Sequence, residues 1–161
     1  SIDDWPAVVD RTSAIGWPQD PSPAYASVSM RREVHLEGTA LIDEFDVEAP
    51  AERTIDWLLH VRGAFEGPAQ PAPGALAGQS GYDQLTDVLA VTGPGPLRFR
   101  LPAGVLILEF ERLPGEEVLL ASAPGNPAAD RHLLLVRRRR ARSTTFRARL
   151  LVESAGATAG A

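Results

Sequence analysis

The side chains with chemistry to offer in this 161-residue chain are three histidines, 21 carboxylates, two tyrosines and 16 arginines, with no cysteine and no lysine. The missing cysteine excludes a disulfide scaffold, a Cys-ligated zinc site and a thiol nucleophile. His35, His60 and His132 are scattered, and no two of them have metal-ligand spacing, so the residues point to no metal and no cofactor. Asp56 and His60 are four residues apart. On a strand they would share a face yet stand about 13 Å from one another, too far to hydrogen-bond. The expected role of His60, between Leu59 and Val61, is therefore that of a satisfied, half-buried imidazole. No Gly-x-Ser-x-Gly elbow occurs, and Ser80, between Gln79 and Gly81, reads as a loop residue. Tyr82 has the chemistry of a general acid or base in an elimination, but only beside a group that lowers its pKa, and the sequence supplies none. Core or cross-strand packing is its expected job. Gly93-Pro94-Gly95-Pro96 cannot cradle a phosphate, because proline removes the amide donors. No catalytic residue and no metal ligand is assigned.

The arginines are unevenly placed. Residues 1–130 carry eight arginines against 20 acids, a balance of −12, while the stretch Arg131–Arg149 holds eight arginines and no acid, a balance of +8. Such asymmetry marks either a polyanion site or basic strands that pair with acidic neighbours in the same fold. Within Arg137-Arg138-Arg139-Arg140-Ala141-Arg142, a continuous strand would alternate the side chains and prevent them from lining one groove. A turn at Arg139–Arg142 would gather several guanidinium groups at one end of the fold. Guanidinium matches carboxylate and sulfate by paired hydrogen bonds, so an acidic polysaccharide is the sensible ligand for Arg137, Arg138, Arg139, Arg140 and Arg142. Nucleic acid is not expected, since only 6% of residues are aromatic and none interleaves with these arginines.

These groups have to be positioned by a fold, and the composition narrows which one. With 44% hydrophobic and 23% charged residues, the chain can bury one ordinary core and is too balanced for a disordered polymer. No apolar run approaches the roughly 20 residues of a membrane-spanning helix, and no membrane partner is expected. The chain begins without Met or a signal-peptide pattern, which suggests a processed chain or an excised domain; nothing in it selects a compartment. Glycine and proline, 14 of each, cluster between apolar segments at the spacing of an all-β domain. The apolar period between them is two. Ile55, Trp57, Leu59 and Val61 share one strand face, and Phe146, Ala148, Leu150 and Val152 share another. Gly104–Glu111 is apolar on both faces and reads as a central buried strand. Val28–Leu36, Thr39–Val47, Arg53–Arg62, Leu85–Val91, Leu97–Leu101, Glu117–Ala121, His132–Arg138 and Thr144–Val152 complete the set, with Gly38 suited to a tight antiparallel connection. Gly81–Val91 also admits a helical turn or two, but strand is favoured. The expected fold is an all-β antiparallel β-sandwich of about nine or more strands. Residues 1–24 form an extension or first edge strand, 25–153 the sandwich, and 154–161 a flexible tail.

Several segments in order resemble the C-terminal β-sandwich of the heparinase II/III-like polysaccharide lyases, a group that includes oligoalginate lyases. They are Tyr-Ala-Ser-Val-Ser-Met-Arg-Arg-Glu-Val-His-Leu from Tyr25, then Ala-Leu-Ile-Asp-Glu-Phe-Asp-Val, then Thr-Ile-Asp-Trp-Leu-Leu-His-Val-Arg-Gly. Arg32, Asp43, Phe45, Trp57 and His60 stand where that family has an Arg-containing strand, an Asp-x-Phe strand end and a Trp-x-x-His strand end. Gly81-Tyr82-Asp83-Gln84-Leu85 is similar to the following segment. Pro124-Gly125-Asn126-Pro127, Leu135-Val136-Arg137-Arg138 and Ser143-Thr144-Thr145-Phe146 are similar to the closing strands.

In that family a helical (α/α) toroid carries the catalytic Tyr and His, and a His-x-His-x-Asp stretch opens the sandwich. Neither occurs in these 161 residues, so the resemblance transfers no catalytic residue. It implies a non-catalytic sandwich that packs against a catalytic helical toroid domain, in the same parent chain or separate, and walls the cleft of a β-eliminating enzyme. The alternatives are a free-standing acidic-glycan-binding module and a purely structural domain.

Overall fold

A computed structural model describes residues 27–78 and 81–154. The described chain is all-β and antiparallel, with strands β1 (Ser29–Glu37), β2 (Ala40–Val61), β3 (Ala64–Phe65), β4 (Ala69–Pro71), β5 (Thr86–Val91), β6 (Leu97–Leu101), β7 (Gly104–Glu109), β8 (Glu117–Pro124) and β9 (Arg131–Ser154). The extension expected over 1–24, the loop residue Ser80 and the tail beyond Ser154 lie outside the described residues. Ser154 itself ends β9. The segment from Gly81 to Leu85 is turn and Thr86–Val91 is strand, so the helical alternative there is not adopted.

All nine strands join one hydrogen-bonded sheet, in the order β3-β6-β7-β9-β8-β5-β4, with β2 along the other edge of β9 and β1 beyond β2. Two long strands hold it together. β2 pairs with β9 from Leu41 opposite Leu150 to Val61 opposite Leu133. On its second edge β9 pairs with β8 over Arg131–Arg138 and with β7 over Arg149–Ser154. The sheet therefore divides at β9 into two arms, and the arms close over a shared core. Trp57, Phe99, Phe146, Leu108, Leu120 and Leu135 pack there, all at most 1% exposed. Burying each large side chain of this kind stabilises the fold by about 1.5–3 kcal/mol.

The segments expected as Thr39–Val47 and Arg53–Arg62 are one strand, as are His132–Arg138 and Thr144–Val152. The pairing shows why. Glu48 lies opposite Ser143 and Arg53 opposite Ala141, so the four residues from Ala49 to Glu52 face Arg142 alone. Surplus residues on one strand make a bulge, which bends the ribbon without ending it. Pro50, which lacks an N–H, sits inside that bulge where no ladder bond is required. No turn forms at Arg139–Arg142.

A second, smaller core covers the opposite face of β8 and β9. Leu119, Ala121, Leu134 and Val136 meet Leu76, Tyr82, Leu85 and Val88 from the connection between β4 and β5 and from β5 itself. Both faces of β9 are thus covered between Leu134 and Arg138, all of which are buried.

Candidate functional site

Alternation along β9 sends Arg137 and Arg138 to opposite faces. Arg137 enters the main core, with 1% side-chain exposure, beside Glu116 at 0%. Its Nε donates to Glu116 Oε1 at 2.5 Å and its Nη2 to Oε2 at 3.1 Å, while Nη1 and Nη2 donate to the carbonyls of Arg147 (2.9 Å) and Glu111 (3.1 Å). The guanidinium carbon lies 4.0 Å from the centroid of the Phe110 ring, 5.3 Å from that of Phe146 and 5.8 Å from that of Trp57. Four of its five N–H groups donate to carboxylate or carbonyl oxygens, and aromatic rings flank the guanidinium plane.

Arg138 emerges on the other face, beside Asp56 of β2 directly opposite. Its Nε and Nη2 donate to Asp56 Oδ1 and Oδ2 at 2.8 and 2.7 Å, and Nη1 donates to the carbonyl of Ala75 at 3.0 Å. The Tyr82 hydroxyl donates to Asp56 Oδ2 at 2.6 Å, and its ring lies 5.5 Å from the Arg138 guanidinium carbon. Burial, then the hydrogen bond to Asp56, pushes the Tyr82 phenol well above its ordinary range. The Asp56 hydrogen bond likewise raises Arg138. Neutral Tyr82 and a carboxylate that already accepts three donors leave no proton acceptor in this cluster. His60, on the same face of β2, is exposed and not half-buried as expected, because the strand end lies beyond the cover that Leu85 and Val88 provide. With Tyr82, Asp83, Gln84 and Pro124 it lines an open groove of 380 Å³.

The raised Tyr82 pKa has a measurable consequence. Folding holds this proton more tightly than the unfolded chain does. The associated stability is intact below pH about 10 and is lost as the pH rises from there toward the folded value. Urea unfolding in alkaline buffers should show that decline, and Tyr82→Phe should flatten it.

The remaining candidate positions separate. Arg32 on β1 grips Asp43 on β2 through Nε–Oδ1 (2.9 Å) and Nη2–Oδ2 (2.5 Å), which raises the Arg32 pKa, while Asp43 itself is buried. Trp57 is a core residue at 1% exposure. Arg139 donates to Thr144 at 3.2 Å, Arg140 pairs with Glu52 at 3.1 Å, and Arg142 is exposed opposite the bulge. The expectation that Arg137 to Arg142 present one acidic-glycan surface is corrected accordingly. Arg137 and Arg138 are buried and neutralised, and the others lie along a bent strand. Glu116 and the pairing of Asp56 with Arg138 were missed by spacing. The one available signal was the Pro114-Gly115 turn, which returns an acid to the basic strand.

A cleft of 640 Å³ has Phe110 and Leu113 among its lining, with Glu109, Glu111, Arg147 and Arg149. Its arginines are also engaged, Arg149 with Glu109 at 2.7 Å and Arg147 with Glu44. Among the described residues no three His, Asp or Glu side chains are grouped to hold a metal ion. No protein-family model matches the chain, and no curated protein matches its sequence.

Proposed function

We propose that this chain is a non-catalytic β-domain of a polysaccharide-lyase-like protein, which packs against a catalytic helical domain and helps wall its substrate cleft. The supporting observation is an apolar row that outruns the layer covering it. Leu108, Leu150, Leu41 and Leu36 stand opposite one another across β7, β9, β2 and β1. Exposure climbs from 0% at Leu108 to 71% at Leu36, and Val34 and Val152 beside the row are 52% and 62% exposed. Contiguous apolar surface at the rim of a core suits docking, and a helix meets a sheet through such a face.

The parent reaction is β-elimination on a uronic-acid glycan. A base takes the proton next to the carboxylate, the bond to the leaving glycosidic oxygen breaks, and a carbon–carbon double bond remains in the product. Tyr82 and Asp56 are locked to each other and to Arg138, which supports placing the base on the partner domain.

The full chain alone should release no unsaturated uronate from acidic glycans, and the coding region upstream of Ser1 should encode a helical toroid and a His-x-His-x-Asp stretch. Leu36→Asp with Val152→Asp should alter the stability of this domain by no more than about 0.5 kcal/mol each, as surface changes do. In the joined protein the same pair should detach the two domains and lower lyase activity. A start codon directly before Ser1, or elimination by the chain alone, would overturn the reading.

A further inference from the structure

Among the described residues β1 pairs only with β2, which leaves one edge of a nine-residue strand open. The hairpin closes at Glu37 opposite Ala40, with Gly38 at φ 60° as the first turn residue, the pattern of a two-residue type II′ connection. The closing pair bonds toward β2. By alternation Leu36, Val34, Arg32 and Met30 then turn their N–H and C=O groups to the open edge. Proteins commonly blunt such an edge with charge, which repels a second strand. β1 is charged, but its order along the strand is self-complementary.

Arg31, Glu33, His35 and Glu37 share one face of β1, with side chains 53%, 50%, 48% and 63% exposed. Within one copy they pair along the strand, Arg31 with Glu33 at 2.5 Å and His35 with Glu37 at 3.4 Å. Laid antiparallel against a second copy with Val34 opposite Val34, Arg31 faces Glu37 and Glu33 faces His35, and each pairing occurs twice by symmetry. The neighbouring registers fail. Centring on Arg32 or Glu33 opposes each to itself, and centring on His35 sets Glu33 against Glu37. On the other face of the favoured register, exposed Val34 meets its own copy and Leu36 meets the aliphatic stem of Arg32.

We propose that β1 is a self-association edge, through which two copies of this chain join by antiparallel β1–β1 pairing centred on Val34. The two-fold axis passes through that residue pair and the sheet continues from one copy into the other. This uses the strand edge and the charged face, with Val34 and Leu36 as contacts on the second face, and it does not require a helical domain docked over the rest of the apolar row.

The small area of a single strand pair makes a weak, concentration-dependent dimer, so sedimentation velocity on the full chain from micromolar to near-millimolar concentration is the fitting measurement. The expected result is a dimer whose Kd rises about tenfold or more in Glu37→Arg, which sets Arg31 against arginine twice. The double variant Arg31→Glu with Glu37→Arg should restore it, with unchanged circular dichroism showing that each variant folds. A monomer at every concentration would overturn the proposal, as would a dimer indifferent to Glu37→Arg or one the double variant leaves unrestored. Val152→Asp by itself, on β9 and outside the β1 edge, tests the helical docking separately, so failure of one reading is distinguishable from failure of the other.

Discussion

Arg137→Ala is expected to remove about 3–5 kcal/mol of folding stability, the range for breaking one side of a buried ion pair. Truncation strands the Glu116 carboxylate, 0% exposed, with only the Leu113 N–H at 2.8 Å still donating to it. It also orphans the carbonyls of Arg147 and Glu111 and opens a void among Trp57, Phe110 and Phe146. A marginally stable domain loses a large share of its stability by such a change. Arg137→Lys should recover little, since a point-charge ammonium cannot serve both carboxylate oxygens and both carbonyls in one plane. Arg137→Met combined with Glu116→Leu should recover most of it, because no charge is then left buried. Urea midpoints at constant slope measure each loss. A cost below about 1 kcal/mol for Arg137→Ala would mean that the pair behaves as a solvated one.

Asp56→Ala is expected to cost about 3 kcal/mol, since Arg138 and Tyr82 lose their shared acceptor together while Arg138 has 8% side-chain exposure. The effect should reach beyond β2 and β9. Arg138 also holds the carbonyl of Ala75, so Leu76, Tyr82, Leu85 and Val88, which cover the second core, should exchange their amide protons faster in the variant. Tyr82 should ionise at lower pH than in the wild type, yet still above its ordinary range, because burial is the larger cause of its shift. Asp56→Asn keeps a neutral acceptor for the phenol and should cost less. If Tyr82 titrated identically in wild type and Asp56→Ala, the hydroxyl contact would carry no energy.

Where the chemistry is local, the residues can be read directly. Period-two alternation at Ile55–Val61 does place Ile55, Trp57 and Val61 inside, and it puts Asp56 and Leu58 on the other face, where the structure has them. Gly38 sits at positive φ in the β1–β2 turn, as a residue without a Cβ is suited to do. The run from Gly104 is buried at Leu106, Ile107 and Leu108, on both faces, as an unbroken apolar strand requires. The short strands β3 and β4 are not among the expected segments, and the misplaced breaks fall on one ribbon. Pro50 and the arginine run look like breaks, whereas pairing on both sides of the bulge carries β2 and β9 straight through.

By itself, then, the sequence determined the all-β class, the alternating faces and the positions of most turns, since steric preference and hydrophobic period act over a few residues. Which guanidinium groups face water was decided only by the tertiary structure. Arg137 meets Glu116 across 21 residues and Arg138 meets Asp56 across 82. A charge enters a core only when a distant acid is delivered to it, since burial without that partner costs more than the fold can spare. The same holds for the open edge of β1 and the bare end of the leucine row. Their composition is ordinary for strands, and they stand exposed because no described element covers them.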